Sequence, residues 1–199
     1  MLNIRGSAFH SAHNPEIDVK PCEFHRFADD SIALQHDITK GHLPEAFDCC
    51  DCFYAEPPWR YGIKTFNKRA GSDDHSLTDV VRGIAAVIEN ETRPIALMVS
   101  RADLPLYQRL CPPIDKIINT TIGAFKTQYE TRVLVWNYKR PLDPMTTKSI
   151  RRSLLIDHSC VGDFCCGYGH TAVDARSMNK RFVCSDYNAR CIGHLKETL

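Results

Sequence analysis

The sequence predicts an α/β fold, a sheet with helices on both faces, and three observations predict it. Short continuous apolar runs, such as Ile95 to Val99, end at polar residues and read as buried strands. Between them lie segments whose apolar residues recur at helical spacing, among them Val80, Ile84, Val87 and Ile88. Strands alternating with helices argue for an α/β sheet covered on both faces. The 199 residues, 43% hydrophobic and 25% charged, fit one domain large enough to bury a sizeable core.

From the N-terminus, Met1 to Asp30 shows no period, with Gly6, Pro15 and Pro21 spread through it, and is expected to be an irregular arm with at most short elements. Ser31 to Ile38 can be a strand ending at Asp37, before the connection marked by Gly41 and Pro44. Ala46 to Ala55 is an apolar run leading into Pro57-Pro58 and is expected to be a strand. Residues 60–76 carry Lys64, Lys68, Arg69, Gly62 and Gly71 and read as a long basic loop, of the kind that serves as a lid or binding loop. Ser76 with Asp79 three residues on is an N-cap signature, placing a helix at 77–90. Pro94 to Val99 is the next strand, Leu104 to Leu110 a short helix stopped by Cys111-Pro112-Pro113, and 116–122 and 131–138 are β-rich. Thr147 to Asp157 reads as a helix with Ile150, Leu154 and Leu155 inward and Lys148, Arg151 and Arg152 toward its other side. Two strands ending in acids, at Asp163 and Asp186, and a closing helix from Ala189 complete the chain.

Two stretches carry the chemistry. In Tyr54-Ala55-Glu56-Pro57-Pro58-Trp59, two prolines stop a strand and leave a rigid ledge bearing an acid, a carbonyl and a flat ring. Such a ledge can grip a planar, amine-bearing group, or it can be a simple proline turn with Trp59 in the core. In Val161-Gly162-Asp163-Phe164-Cys165-Cys166-Gly167-Tyr168-Gly169, a strand-end acid and a Gly-x-Gly precede a helix, a pattern that lets backbone approach a nucleotide-like ligand. Asp186 ends a second strand 17 residues after Gly169, near the ~20 expected of a ribose-binding carboxylate.

Together the two stretches resemble the S-adenosylmethionine-dependent DNA amino-methyltransferases, in the permuted order where the catalytic Asp-Pro-Pro-Tyr/Trp motif precedes the cofactor motif. The resemblance spans Ser31 to Leu199 and is carried by Glu56-Pro57-Pro58-Trp59, by Asp163 to Thr171 and by Asp186. It implies one Rossmann-like methyltransferase domain over residues 1–199, a mostly parallel central sheet with one antiparallel strand and helices on both faces. Glu56, Pro57, Pro58 and Trp59 are then the catalytic group. Asp37, Asp163, Phe164, Cys165, Gly167, Gly169, Asp186 and Tyr187 are the groups expected to hold S-adenosylmethionine. The implied substrate is DNA, at adenine N6, as in a small phage-type enzyme, with RNA or cytosine N4 as alternatives. Two positions depart from the family pattern: Glu56 stands where Asp is usual, and Phe164-Cys165 where Pro-Phe is usual. These departures motivate the other class of answer, an inactive cofactor-fold protein that binds nucleic acid or a protein partner.

Lys64, Lys68, Arg69, Lys139 and Arg140 are candidates for a phosphate-contacting rim, with Lys148, Arg151 and Arg152 as further members. A net charge of +1 confines any such contact to a local surface. No segment is long enough for a separate recognition domain, so target choice falls to the 60–76 loop and the N-terminal arm, or to a second copy or specificity partner. Ten cysteines without an apolar leader read as reduced thiols, and the spacing of Cys49, Cys50 and Cys52 does not match a zinc site, so no metal is expected. No stretch approaches a membrane span, and Met1 to Lys20 lacks a signal-peptide core, so the expected compartment is the cytoplasm.

Overall fold

The computed structural model describes residues 19–71, 75–124, 127–142 and 146–199. Most of the N-terminal arm therefore lies outside the described residues. The strands are β1 (Phe24–Arg26), β2 (Ile32–Gln35), β3 (Cys52–Ala55), β4 (Ile95–Ser100), β5 (Lys116–Ala124), β6 (Thr127–Trp136), β7 (Cys160–Asp163) and β8 (Arg181–Asp186). The α-helices are α1 (Ile63–Ala70), α2 (Leu77–Glu89), α3 (Leu104–Leu110), α4 (Thr147–Ile156), α5 (His170–Ser177) and α6 (Ala189–Thr198), with 3-10 turns at Ile38–Lys40 and Glu45–Cys49.

One sheet orders the strands β1-β2-β8-β7-β3-β4-β6-β5. The run β2-β8-β7-β3-β4 is parallel throughout. β6 runs against β4, and β1 runs against β2 at the other edge. The single antiparallel strand expected is thus joined by a second: a turn closed by Phe27 N–H donating to the Ser31 carbonyl folds the end of the N-terminal arm back on β2.

Side-chain alternation divides the core into two layers. From the central strands, Cys52, Tyr54, Ala96, Met98 and Val161 point to one face, covered by α4, α5 and α6 through Ile150, Leu154, Ala172, Ala175, Ile192 and Leu195. Phe53, Ala55, Ile95, Leu97 and Val99 point to the other, covered by α2 and α3 through Val80, Ile84, Ile88, Leu106 and Tyr107. Ser76 and Asp79 form the reciprocal capping box expected at the start of α2.

Two local expectations are corrected. Residues 45–49 wind into a 3-10 turn that seats Phe47 in the core, so the strand before Glu56 is four residues long. Within 60–76 the chain is not a loop throughout: Gly62 N–H and Ile63 N–H both donate to the Trp59 carbonyl and start α1, which Gly71 ends in a left-handed cap.

Candidate functional site

Parallel strands carry whatever follows them to one edge of the sheet, and the chain reverses direction across the sheet between β7 and β3. From β7 it continues through α5 to β8 on one side, and from β3 to β4 on the other. Crevices at such switch points are where open α/β sheets bind ligands. Asp163 closes β7 and Glu56 follows β3 by one residue, with Phe53 opposite Gly162 in register, so the two carboxylates flank this crevice. Asp186 ends β8 one strand further, and Asp37 follows β2 one strand beyond that.

Asp163 is buried. One oxygen accepts from the Cys165 N–H at 3.1 Å and the other from the Thr171 hydroxyl at 2.5 Å. Burial pushes its pKa up to about 7, outweighing those bonds. Asp186, also buried, accepts from the Gly167 and Asn188 N–H groups, each at 2.9 Å, one per oxygen. Burial raises its pKa to about 6. Gly167 has φ +50, and a Cβ built on it meets nothing within 4 Å, so its backbone faces open space. Gly169, at φ +83, serves packing instead: a Cβ there would sit 2.0 Å from Leu195 Cδ2. Phe164 is a core residue, its ring 6.2 Å from Phe53, and Cys165 packs against the same layer. Asp37 caps the turn at Ile38–Lys40 through Thr39, and its second oxygen lies 3.3 Å from His75 Nε2. The His75 ring stacks edge-on at 5.0 Å from Tyr187, which joins the two predicted ligands through a residue that sequence reasoning passed over.

Glu56 has the alternation of Tyr54 and so turns toward α4 and α5. Its Oε1 accepts from the Tyr54 hydroxyl at 3.1 Å and from Arg151 Nη1 at 2.9 Å. Arg151 also donates from Nε and Nη2 to one oxygen of Asp174, at 2.9 and 2.7 Å, and its guanidinium lies 5.3 Å from the centre of the Tyr54 ring. Arg151 is therefore a correction to the sequence reading: it is buried, not part of a solvent face of α4. Burial works against its charge, but Tyr54, Glu56 and Asp174 outweigh it and hold its pKa above the ordinary arginine value.

Pro57 is buried, Pro58 half-buried, and Trp59 packs against the Tyr54 layer. The turn that follows is tied to the end of β4 by buried Asp103, which accepts from the Arg60 N–H at 3.2 Å and the Ser100 hydroxyl at 2.6 Å. Its other oxygen lies 3.3 Å from Arg60 Nε, a contact of charges without hydrogen-bond geometry. A Ser-x-x-Asp after a strand was the signal for this anchor.

Of the basic candidates, Lys64 and Lys68 are exposed on α1 directly after the ledge, while the side chain of Arg69 lies outside the described ones. Lys148 and Arg152 are exposed on α4, Lys148 4.0 Å from Asp174. Lys139 and Arg140 are not brought to this rim. β6 is antiparallel, so its end at Trp136 lies beside the start of β4, at the opposite sheet edge, where Arg140 pairs with Asp157. The rim edge also holds a polar recess lined by Arg101, Asn119, Thr121, Glu130 and Arg132 that sequence reasoning did not mark. Among the described residues, no helix is long and apolar enough to cross a membrane.

Solved structures share this fold. The M1.HpyAVI–SAM complex superposes with a TM-score of 0.53 at 11% identity, over 84% of this chain and 98% of that one. TTHA0409 from Thermus thermophilus, a candidate DNA modification methylase complexed with S-adenosyl-L-methionine, gives 0.52 at 14% identity, over 87% and 92%. The chain shares their Rossmann-like fold. No family model and no curated protein matches the sequence, so the likeness lives in the fold rather than in sequence identity.

Proposed function

We propose that the protein transfers a methyl group from S-adenosylmethionine to the exocyclic amine of a nucleobase, adenine N6 in DNA, as a permuted, phage-type methyltransferase of the cytoplasm. One observation carries this reading: Glu56 and Asp163 flank the same switch-point crevice, with Asp186 one strand further, so a grip for the acceptor and a cradle for the donor open onto one space. Support comes from solved structures of the same fold, one of them a candidate DNA modification methylase, that hold S-adenosylmethionine.

The residues fit that cofactor. Each Asp186 oxygen takes a single backbone donor and keeps acceptor capacity for a ribose hydroxyl. The open space over Gly167 admits a ligand against bare backbone. Asp163, whose pKa burial raises to about 7, becomes the favoured carboxylate once a cationic amino acid moiety lies beside it. When bound, S-adenosylmethionine supplies an electrophilic methyl group.

The amine of adenine is a poor nucleophile because its lone pair is delocalised into the ring. Acceptors held at its N–H groups favour the pyramidal nitrogen that attacks, and favour the positive charge that develops there, which is electrostatic preorganisation. Because Oε1 of Glu56 takes both protein donors, its Oε2 is the acceptor for one amine N–H, and the Pro57 carbonyl is the acceptor for the other. Arg151 and Tyr54 fix the carboxylate against rotation, which aligns the transfer. Trp59 stacks on the extruded base, and Lys64, Lys68 and Arg69 contact phosphates.

The Glu56 to Arg151 ion pair also favours a second reading, an inactive cofactor-fold scaffold in which the acid is sequestered. A tritiated methyl-transfer assay on unmethylated DNA and RNA, followed by digestion to nucleosides, separates the two. N6-methyladenine formed by the wild type and lost in Glu56→Ala is the expected result. Cofactor binding by calorimetry without transfer to any nucleic acid leaves the scaffold reading, and absence of cofactor binding overturns the proposal altogether.

A further inference from the structure

At the sheet edge opposite Glu56, three thiols from two distant segments converge. Cys49 ends the second 3-10 turn, Cys50 caps it, and Cys160 opens β7. The Cys160 Sγ lies 3.9 Å from the Sγ of Cys49 and 3.9 Å from the Sγ of Cys50, and all three sulfurs lie within 4.8 Å of one another. Cys52, which the sequence grouped with Cys49 and Cys50, points to the other face of the sheet and takes no part.

The spacing excludes a disulfide and is compatible with a shared metal ion. A disulfide needs its sulfurs at ~2.05 Å. Two thiolates bound to one zinc ion at ~2.3 Å stand ~3.8 Å apart in a tetrahedral site and ~4.0 Å apart in a trigonal one. Both separations to Cys160 fall in that interval, so the thiols, now in hydrogen-bond contact, need little movement to share one ion.

The backbone bearing the sulfurs is held from both sides. Arg93 Nη1 donates to the carbonyls of Phe47 and Cys50 at 2.9 and 3.0 Å, which pins the turn that carries two of the thiols. Asp51 accepts from the Ser159 N–H and hydroxyl and from the Cys160 N–H, at 2.7, 2.6 and 3.0 Å, which pins the third. These contacts fix the backbone from which the three sulfurs project. Three thiolates on a divalent ion carry one net negative charge. Arg93 is already paired with Glu91, so Arg181, opposite Cys160 in the β7–β8 register, is the cation placed to balance it.

We propose that Cys49, Cys50 and Cys160 form a site for a soft divalent cation of the zinc type, with a fourth position open to solvent beside exposed Cys49. Binding displaces the three thiol protons to solvent and ties the chain entering β3 to the start of β7. The site is independent of the methyl-transfer reading, since it lies at the opposite edge of the sheet.

Titration of the full chain with cobalt(II) tests it, zinc(II) serving as competitor. The expected result is about one equivalent bound, with the sulfur-to-cobalt charge transfer and tetrahedral ligand-field bands of a thiolate site, both bleached by zinc. Cys49→Ser, an exposed change that leaves the core intact, weakens binding about tenfold or more, and Cys160→Ser abolishes it, while Cys22→Ser and Cys111→Ser titrate as wild type. If Cys160→Ser fails to fold, Cys49→Ser decides alone. The proposal is overturned by absence of charge transfer, by an unchanged titration of Cys49→Ser, or by mass spectrometry showing a metal-free protein cross-linked from Cys160 to Cys49 or Cys50.

Discussion

Arg151 is the buried cation shared by two carboxylates, and the consequences of losing it are set by that geometry. Its guanidinium reaches Glu56 and Asp174 at once, with all three side chains largely out of solvent. Arg151→Met is expected to destabilise the protein by about 3–5 kcal/mol in urea unfolding, because two acids lose the buried counter-charge they share. Lys148→Ala, which removes an exposed amine 4.0 Å from Asp174, is expected to cost less than about 1 kcal/mol. Asp163 gives a prediction with a defined sign. Its pKa rises from 3.8 to about 7 on folding, so the folded state binds this proton more tightly than the unfolded chain. The resulting stabilisation is complete below about pH 4 and is lost as pH rises through about 7. Asp163→Asn, which cannot ionise, should therefore gain on the wild type in thermal unfolding between those limits. A difference that does not change with pH would show that Asp163 ionises freely. The strand-end acids were legible in the sequence because each closes an apolar run. Arg151 was not, although at about 100° per residue it lies between Leu154 and Leu155 on the wheel, inside the apolar stripe. A charge inside such a stripe was the available signal, and it was read as surface because its acidic partners are 95 and 23 residues away.

Elements differ in how strongly their own sequence announces them. α2 carries its capping box and a full apolar stripe, and its predicted and observed bounds differ by one residue. α1 has glycine at its N-cap, no acid in its first turn and a largely polar composition, so only Gly71 at its end marked it. Its start depends on the Trp59 carbonyl, a contact that exists only once the ledge is folded. The 45–49 turn was hidden for a related reason: Phe47 is buried, as a strand residue would be, but by a 3-10 turn packing across Phe53 rather than by a place in the sheet. The Gly-x-Gly segment separates two roles that a motif alone merges. Gly169→Ala places a methyl group on Leu195 and forces a left-handed non-glycine residue, and is expected to cost more than about 2 kcal/mol in chemical denaturation. Gly167→Ala meets no atom and pays only the left-handed strain of roughly 1–2 kcal/mol, but it puts a methyl group into the proposed cofactor space. Calorimetric affinity for S-adenosylmethionine should therefore fall further in Gly167→Ala than in Gly169→Ala, the reverse of their order in stability. The same order in both measurements would remove Gly167 from the cradle.

At the scale of the molecule, the alternation of strands and helices foretold the layers, while the order of the strands lay beyond it. Pairing of β3 with β7 joins segments more than 100 residues apart through the register pairs Cys52 with Val161 and Phe53 with Gly162, and nothing local encodes that choice. β1 was invisible for a simpler reason, since three residues, Phe-His-Arg, are too few to show a period. The β3–β7 seam joins what comes early in the chain to what comes late, and Gly162 sits in it where a Cβ would lie 2.5 Å from the Phe53 ring. Neither side of the seam can bury its own face: β3 and β4 need α4 and α5, and β7 needs Phe47 and Phe53. The sheet should accordingly open as one unit, with amides of β3, β4, β7 and β8 exchanging at free energies within about 1 kcal/mol of one another in native-state hydrogen exchange. β1, a three-residue edge strand with Phe24 exposed, should exchange at least about 2 kcal/mol more easily, because its ladder can separate without disturbing either layer. Exchange of β7 and β8 at a free energy distinct from that of β3 and β4 would mean that the seam opens on its own, and the two halves of the proposed site would then come apart before the protein unfolds.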